Sequence, residues 1–462
     1  MKKSSQPAIR IGNGAGFWGD SLDAPLRLVS RGKLDYLTLE YLAELTLSIL
    51  AHQRRRDPTL GYVSDFPRVL ESLIPQLRVQ PGLRIVTNAG GLNPEACAHE
   101  IGRRLTRAGL FSTRIAWITG DDLLDRLPEL QGKDETFQNF DDHTPLRSLN
   151  KTMVSANAYM GAFPIASALD QHAQIVITGR VADASLTLGP AIHEFRWGAE
   201  DWDHLAGGSV AGHLIECGAQ VTGGMLTRWK SIEGYSEIGY PIAELISDGS
   251  CILTKPEGTG GRVNRESVTE QLLYEIGDPA HYLTPDVDVD FTGIEMEELQ
   301  ENRVRVYGAK GNPAPKTLKV SCAYDNGFMA QGELVVTGMD AVEKAKACGS
   351  MILGRLQMAG IILDRHHVEI LGTGECLPGV KVPTSVLREV VLRVAVHDAR
   401  KEAVERFCRE ISPLITSGPQ GLAGYANSRP QARPVLSYWP TLVSRKQVQP
   451  QLQTMTAGEL SA

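Results

Sequence analysis

Ile175-Val-Ile-Thr178-Gly-Arg-Val-Ala-Asp183 is the segment that indicates the fold class most clearly. Its apolar run is typical of a buried parallel strand, and Gly179 permits a sharp turn from that strand into a helix. In open α/β sheets, ligands bind at the carboxyl ends of such strands. We therefore expect Gly179 and Arg180 to bind a small anionic molecule. Asp183 is a candidate catalytic residue, with a helix cap as the alternative.

Strand and helix patterns alternate through the first half of the chain. The strands are predicted over 8–11, 34–39, 83–87, 113–117 and 174–177, and the helices include 41–54 and 93–108. This alternation predicts a mostly parallel sheet with helices on both faces. From about residue 300 the order changes to strands over 303–307, 317–324 and 329–336, a helix over 340–360, strands over 367–371 and 387–396, and a helix over 397–411. That order is typical of a ferredoxin-like layer.

The fold class is therefore predicted as α/β, with a Rossmann-like, mostly parallel sheet followed by a smaller α+β ferredoxin-like domain. We place the first domain over residues 1–285, the second over 300–415, and an extended C-terminal segment and tail over 416–462. The part beyond about Gln447 is rich in glutamine, so we expect it to be disordered.

Composition limits the class of protein. The chain has 462 residues, 42% of them hydrophobic, and a formal charge of −7. The acidic balance argues against nucleic acid, and no apolar run is long enough to span a bilayer. The N-terminus lacks the apolar region of a secretory signal, and the seven cysteines form no CxxC pair. We expect a soluble cytoplasmic protein that binds neither nucleic acid nor membrane.

The first glycine-rich loop is Gly14-Ala-Gly16-Phe-Trp-Gly19-Asp20. It matches G-x-G-x-x-G, and Glu40 stands about where a ribose-binding acid should be. Asp20, however, would repel a pyrophosphate, and Pro25 starts the next helix several residues too late. We therefore take Asn13 and Gly16 as substrate-binding residues and Asp20 as a catalytic candidate. A tight loop at a strand end is the alternative.

Gly19-Asp-Ser21-Leu22 also spells the nucleophile signature of a lipase-like hydrolase family. That family needs a G-x-N-D block, which Gly91-Leu-Asn93-Pro94 does not supply, and a C-terminal D-x-x-H. The latter pattern occurs at 201–204, 278–281 and 364–367. A hydrolase with Ser21 as nucleophile stays open as an alternative.

Two further loops follow strands. In Asn88-Ala-Gly90-Gly91-Leu-Asn93-Pro94, backbone N–H groups at a helix start suit a carboxylate, phosphate or enolate oxygen. We expect Asn88, Gly90, Gly91 and Asn93 to bind substrate, with simple capping by the asparagines as the alternative. In Gly120-Asp121-Asp122, the paired acids could bind hydroxyls or a metal, or cap a helix.

Two later stretches add candidates. His213 and Glu216 lie one helical turn apart, but a zinc site would need a further ligand, so we predict no metal. Glu216 and Cys217, followed by the glycine pair at 223–224, suit proton transfer as catalytic residues. Lys255-Pro-Glu-Gly-Thr-Gly-Gly-Arg262 is similar to an anion-holding turn without the Walker spacing. The substrate-binding candidates of these stretches are Gly223, Gly224, Lys255 and Gly260.

Together these motifs resemble the acyclic terpene utilisation (AtuA-type) family over about residues 9 to 445. The resemblance is carried by the stretches 14–20, 88–94, 177–183, 216–220, 222–224 and 255–261, together with Gly421-Leu-Ala-Gly-Tyr-Ala426 and Tyr438-Trp-Pro440. The family is named for genes needed to grow on citronellol and geraniol, whose breakdown runs through CoA thioesters. The resemblance thus implies a substrate that carries coenzyme A; we expect no other cofactor. Because some members carry or adjoin an extra small C-terminal domain, it also implies a separate small subunit as partner.

Three functional classes follow. The favoured class is an enzyme that acts by proton transfer on a small carboxylic acid or acyl-CoA ester, as a hydratase, dehydratase or isomerase. Asp20, Asp183 or Glu216 would be its general base, Arg180 would hold a carboxylate, and loop amides would stabilise an enolate-like oxygen. The alternatives are a hydrolase with Ser21 or Cys217 as nucleophile and a non-catalytic ligand-binding subunit. We expect a homo-oligomer, as is common for parallel α/β proteins of this size.

Overall fold

A computed structural model describes residues 8–133, 135–377, 379–380 and 382–462. The first seven residues, on which the expectation of no secretory signal rests, lie outside this part. The strands of the described residues are, in chain order, β1 Ala8–Asn13, β2 Tyr36–Leu39, β3 Arg84–Thr87, β4 Arg114–Thr119, β5 Met153–Ala158, β6 Ile175–Thr178, β7 Ile242–Ile246, β8 Cys251–Thr254, β9 Tyr282–Leu283, β10 Asp288–Asp290, β11 Glu295–Gln300, β12 Arg303–Tyr307, β13 Lys310–Asn312, β14 Thr317–Thr337, β15 Arg365–Leu371, β16 Glu389–Asp398, β17 Leu422–Tyr425, β18 Arg433–Ser444 and β19 Gln451–Thr456.

The α-helices of the same residues are α1 Ala24–Gly32, α2 Glu44–Arg56, α3 Asp65–Val79, α4 Pro94–Arg107, α5 Leu127–Gln131, α6 Phe163–Asp170, α7 Ser185–Phe195, α8 Trp202–Glu216, α9 Arg265–Leu273, α10 Ala341–Met358, α11 Lys401–Ile411, α12 Leu414–Ser417 and α13 Ala457–Ser461. Within this part of the chain, no helix combines the length and the apolar character needed to cross a bilayer.

The largest sheet has ten strands in the order β11-β12-β8-β7-β1-β2-β3-β6-β4-β19. Its central five strands, from β1 to β4 in that order, are parallel. The outer strands are antiparallel to their neighbours. Because β8 is antiparallel to β7, and β7 to β1, β8 ends at the same edge of the sheet as the parallel strands. β6 is buried along its whole length, as its unbroken apolar run predicts.

The helices of this sheet lie on its two faces. The connections β1–β2, β2–β3 and β3–β4 all advance in one direction along the sheet, and their helices α1, α3 and α4 pack side by side. The connection from β4 to β6 runs backwards, and α6, α7 and α8 form a second packed row. Crossover connections between parallel strands are right-handed. Two connections that run in opposite directions along the sheet therefore place their helices on opposite faces. The chain therefore leaves β3 and β6 towards different faces, and ligands of α/β proteins usually bind beside such a reversal.

The chain divides into two units, 1–322 with 438–462, and 323–437. In the second unit, part of β14, then α10, β15, β16, α11 and β17 follow one another, and the sheet order is β15-β16-β14-β17 with antiparallel pairs. The two helices cover a core that includes Val336, Ile352, Leu392 and Phe407. This is the βαββαβ order of a ferredoxin-like layer. The predicted fold class is confirmed.

Two expectations about boundaries need correction. The strand at 303–307, which we assigned to the second domain, is β12 and pairs with β8 in the large sheet. The predicted disorder beyond Gln447 is also wrong, because β19 pairs with β4 over six residues and α13 packs against α4. An edge strand needs backbone hydrogen bonds more than apolar side chains, and Leu460 of α13 is buried. Low hydropathy in this tail therefore did not prevent it from folding.

Candidate functional site

The loops that follow β3 and β6 touch each other. A Cβ atom on Gly90 would stand 2.5 Å from the carbonyl oxygen of Thr178, so only glycine permits this approach. Asn88 and Arg180 lie in these two loops. The structure thus brings together two of the glycine-rich stretches that the sequence singles out.

Arg180 is a buried cation, with 2% of its side chain exposed. Its Nη1 donates to the carbonyl oxygen of Leu42 at 2.8 Å and to Oδ1 of Asp183 at 2.7 Å. Its Cζ lies 4.0 Å from the ring centre of Tyr159, in a cation–π contact. Nε has no hydrogen-bond partner within the described residues. Burial works to lower the pKa of Arg180, but the nearby carboxylates and Tyr159 raise it on balance, so the guanidinium stays charged.

Asp183 is the solvent-facing member of this ion pair, with 34% of its side chain exposed. The next helix begins at Ser185, and its N-cap residue is Ala184, without a side-chain cap. The carboxylate of Asp183 therefore binds Arg180 rather than capping the helix, which was the alternative expectation.

Glu40 lies on the other side of Arg180, with Oε1 3.9 Å from Nη1. The same oxygen accepts hydrogen bonds from the backbone N–H of Leu42 and from Nδ2 of Asn88. Oε2 is buried and has no partner within the described residues. Burial, with the negative charge of Asp183, raises the pKa of Glu40 well above its ordinary value. Glu40 therefore holds its proton more tightly than an exposed glutamate.

Asp121, after β4, holds the turn that carries Arg180. Its Oδ2 accepts hydrogen bonds from the backbone N–H of Arg180 at 2.9 Å and from Nδ2 of Asn157 at 2.8 Å. A Cβ atom on Gly179 would stand 2.5 Å from Oδ1 of Asp121, so the glycine makes room for this carboxylate. Burial raises the pKa of Asp121 to about 6.

His213 and Glu216 form a buried pair near the end of α8, with Nδ1 3.1 Å from Oε1. Nε2 of His213 lies 3.3 Å from the carbonyl oxygen of Leu272, which can only accept, so Nε2 carries a hydrogen. The Nδ1–Oε1 contact then holds one proton, on either the imidazole or the carboxyl group. Burial raises the pKa of Glu216 to about 7. Its second oxygen, Oε2, is buried without a partner within the described residues.

The end of α8 lies beside the ion pair of Arg180. A Cβ atom on Gly212 would stand 2.6 Å from the carbonyl oxygen of Ala184, so this helix packs directly on the residue after Asp183. The negative charge of Asp183 contributes to the raised pKa of Glu216. Arg180, Asp183 and Glu216 therefore belong to one polar cluster.

A second charged group flanks Arg180. The Tyr159 hydroxyl donates to Oε1 of Glu44 at 2.6 Å, and Lys319 Nζ donates to the same oxygen at 3.0 Å. Lys319 Nζ also lies 4.7 Å from the ring centre of Tyr159. Although burial acts in the opposite direction, these bonds and charges lower the pKa of Glu44 to about 2.

No group of three or more His, Cys, Asp or Glu side chains in the described part of the chain could hold a metal ion.

A family model for the acyclic terpene utilisation family protein AtuA matches residues 9–454. The chain belongs to this family. Comparison with curated proteins gives no match, and comparison with solved structures gives none either.

In this AtuA-family chain, the first glycine-rich loop supports the site. Asn13 Nδ2 donates to the carbonyl oxygens of Ile215 and Glu216, both at 2.8 Å, and so caps the end of α8. A Cβ atom on Gly16 would stand 2.7 Å from the carbonyl carbon of Cys217. Asp20 accepts bonds from the backbone N–H groups of Gly16 and Ser21 and from the Tyr240 hydroxyl. All three predicted site residues of this loop, Asn13, Gly16 and Asp20, thus make structural contacts that hold α8 or close the loop.

The amides expected to face a ligand after β3 are partly used inside the turn. Gly91 N–H donates to the carbonyl oxygen of Asn88, and Asn93 N–H donates to that of Gly90. The side chain of Asn93 accepts from Ala96 N–H and caps α4, as its alternative interpretation predicts. Gly91 and Asn93 therefore shape this loop, and Asn88 is its member that contacts the polar cluster, through Glu40.

Four predicted substrate-binding residues form a separate group. Lys255 Nζ donates to the carbonyl oxygen of Thr259. A Cβ atom on Gly260 would stand 1.9 Å from the carbonyl oxygen of Gly234. The amides of Gly223 and Gly224 bond within their own turn. Lys255 follows β8, which is five strand positions from β6, about 24 Å at the usual spacing of strands. Lys255 and Arg180 therefore do not share one subsite.

The two candidate nucleophiles, Cys217 and Ser21, lack the features of activated nucleophiles in the described part of the chain. Burial raises the pKa of the Cys217 thiol to about 12, which disfavours the reactive thiolate. Ser21 donates its backbone N–H to Asp20, and no hydrogen bond joins its hydroxyl to a histidine within the described residues.

The cluster contains four residues that the sequence motifs did not assign to it: Glu40, Asp121, His213 and Tyr159. Glu40 stood out only as a possible ribose acid, Asp121 as half of an acidic pair, and His213 as an incomplete metal ligand. The two acids could have been found from their positions, because Glu40 comes one residue and Asp121 two residues after a parallel strand of the same sheet. Tyr159 follows β5, which lies outside that sheet, so no pattern of the sequence indicated it.

Proposed function

We propose that this protein is a cytoplasmic enzyme that transfers a proton on a small carboxylic acid or an acyl-CoA thioester. The reaction class is that of a hydratase, dehydratase or isomerase. Glu216 is the acid/base group, and the Arg180–Asp183 pair receives the negative charge of the substrate. The observation that carries this proposal is the buried Glu216–His213 pair, which holds one proton close to neutral pH.

The protonation behaviour of Glu216 supports this role. An efficient acid/base group has a pKa near the working pH, and burial raises that of Glu216 to about 7. Its partner His213 can keep or return the shared proton, so the pair can both accept and donate. Oε2 of Glu216 makes no hydrogen bond within the described residues and is the atom left to meet a substrate hydrogen.

The assignment of an anionic substrate rests on Arg180. Its Nη1 bond to Asp183 is the one that an incoming carboxylate can replace, because Asp183 is partly exposed and can turn towards solvent. A guanidinium pairs with two oxygens of a carboxylate in parallel, and Nε is a second donor without a partner within the described residues. The family points in the same direction, since acids and CoA thioesters are the substrate class that the resemblance implies.

Hydrogen exchange tests the proposal without knowledge of the full reaction. The full chain is incubated in D2O with crotonyl-CoA, 3-methylcrotonyl-CoA and the corresponding free acids, and deuterium uptake is followed by mass spectrometry. We expect uptake above the rate without protein, and a loss of about 100-fold or more in Glu216→Gln. Glu402→Gln, which changes an exposed glutamate of the second unit, is the matched control and keeps the full rate.

Three results would count against this function. Equal uptake in wild type and Glu216→Gln would remove Glu216 from the chemistry. Uptake no faster than without protein, for every probe, would favour the non-catalytic binding subunit. A covalent acyl adduct on Cys217 or Ser21 would favour the hydrolase, which the raised pKa of the Cys217 thiol does not support.

The remaining parts of the proposal concern location and assembly. All seven cysteines are unpaired, which is typical of a reducing compartment and supports the cytoplasm. A homo-oligomer with a separate small subunit remains part of the proposal, and light scattering of the purified chain, alone and co-expressed with neighbouring small reading frames, tests both.

A further inference from the structure

A cavity of about 300 Å³ lies at the edge of the large sheet opposite the polar cluster. Its walls come from the first turns of α8, the turn between β7 and β8, and the end of β12 with the loop after it. β7 and β12 run antiparallel to β1 and β8, so both end at this opposite edge. Asp203 of the cavity and Glu216 of the polar cluster are 13 residues apart on α8, about 20 Å along a helix. The two sites are therefore separate.

Arg305 is a partly exposed cation of this cavity, and its ion pair with a carboxylate is a long one. This carboxylate is that of Asp248, with Nη2 3.9 Å from Oδ2, and Nη2 of Arg305 lies 3.5 Å from the hydroxyl oxygen of Ser250. Nε is buried and has no hydrogen-bond partner within the described residues. The guanidinium lies over the ring of Tyr307, with Cζ 5.1 Å from the ring centre, in a cation–π contact.

The other charged side chains discussed for this cavity already form hydrogen bonds within the protein. Lys310 Nζ donates to Oδ2 of Asp203 at 2.7 Å, and the other oxygen of Asp203 accepts from Gly311 N–H at 3.0 Å. Asp248 accepts hydrogen bonds from the backbone N–H and the hydroxyl of Ser250, at 2.9 and 2.7 Å. Arg305 is thus the group that is left with donors to offer.

The walls of the cavity are fixed by close backbone contacts. A Cβ atom on Gly207 would stand 2.2 Å from the carbonyl oxygen of Gly249, so α8 and the β7–β8 turn meet without a side chain between them. Gly249 and Gly308 have positive φ angles of 83° and 94°, which other residues rarely adopt. A cavity with such walls keeps its shape before a ligand arrives, as small-molecule sites usually do.

We propose that this cavity is a second ligand site, which binds the oxoanion of a small acid through Arg305. The guanidinium offers its donors to two oxygens of one carboxylate or phosphate group, and the remainder of the ligand lies against the glycine backbone and Tyr307. Neither the family resemblance nor the proton-transfer chemistry of Glu216 calls for this site.

Calorimetric titration of the full chain with inorganic phosphate, acetate and succinate tests the proposal and separates phosphate from carboxylate ligands. We expect saturable binding of at least one probe, weakened about 10-fold or more in Arg305→Gln because a charge-assisted pair is lost. Ala309→Phe keeps every charge but places a ring in the cavity, and we expect it to weaken binding as well. Arg409→Gln, on an exposed position of α11, is the matched control and leaves the affinity unchanged.

The outcomes are distinct. Binding that is weakened in both cavity variants, in folded protein as judged by circular dichroism, supports the site and its ligand class. Binding that is equal in wild type, Arg305→Gln and Ala309→Phe would place the anion elsewhere and overturn the proposal. Absence of binding by all three probes would overturn it too.

Discussion

Replacement of Gly179 by alanine should break the turn that carries Arg180. The added methyl carbon would stand 2.5 and 2.6 Å from the two carboxylate oxygens of Asp121. Asp121 is buried and bonded to Arg180 N–H and to Asn157, so it cannot move without giving up those bonds. Overpacking costs about 1–3 kcal/mol, and each buried polar group left without its partner costs about 1–3 kcal/mol. We expect Gly179→Ala to lower the free energy of unfolding by about 3 kcal/mol or more.

Urea denaturation, followed by tryptophan fluorescence, measures this loss. Gly82→Ala is the matched control, because a Cβ atom on Gly82 would meet no heavy atom within 4 Å. We expect it to change the free energy of unfolding by less than about 1 kcal/mol. In Gly179→Ala with Asp121→Ala, the methyl group has room, so the double variant should lose less than the sum of the two single losses. An effect equal to that of Gly82→Ala, or strict additivity in the double variant, would show that contact with Asp121 does not require glycine at position 179.

Three further predictions concern the same cluster and the C-terminus. If Glu216 is the base, the rate of deuterium exchange rises with pH through about 7. His213→Leu moves that rise to higher pH, because His213 lowers the pKa of Glu216. An unchanged pH profile in His213→Leu would exclude coupling between the two residues. Asn13→Ala removes two hydrogen bonds to the end of α8, so we expect a loss of about 2–4 kcal/mol in urea denaturation together with a fall in exchange. Removal of residues 449–462 uncovers the edge of β4, and we expect a lower thermal midpoint and self-association in light scattering, which a truly disordered tail would not cause.

The main elements of the fold could be predicted because their signals are local. The apolar run at 175–177, the glycine after it and the cap at Asn93 each specify an element without reference to the rest of the chain. The ferredoxin-like order was equally visible, since its strands and helices alternate with clear periods. The same local signals identified Arg180 and Asn88, which lie in the loops that follow parallel strands.

Other features depend on pairing between distant segments. The sequence of β12 resembles that of the following strands, and only its pairing with β8 assigns it to the large sheet. The Lys255 loop has the composition of an anion site, but its distance from Arg180 follows from strand order, which sequence periodicity does not contain. Tyr159 reaches Arg180 through a strand outside the large sheet, so its role required the tertiary structure.

The buried carboxyl groups of the polar cluster differ energetically from a structural ion pair of the same sheet. Burial raises the pKa values of Asp121 and Glu216 to about 6 and about 7, from ordinary values of 3.8 and 4.5. At a pH between its ordinary and its raised pKa, each group binds more protons in the folded chain than in the unfolded chain. Each group therefore contributes stability at low pH, and this contribution is lost as the pH rises towards 6 for Asp121 or 7 for Glu216. By contrast, the ion pairs of Glu244 with Arg10 and Arg303 lower the pKa of Glu244 against the effect of burial, as expected for a structural role. Carboxyl groups with pKa values raised in this way are common at functional sites, so the shifts of Asp121 and Glu216 support the proposal of acid/base chemistry beside Arg180.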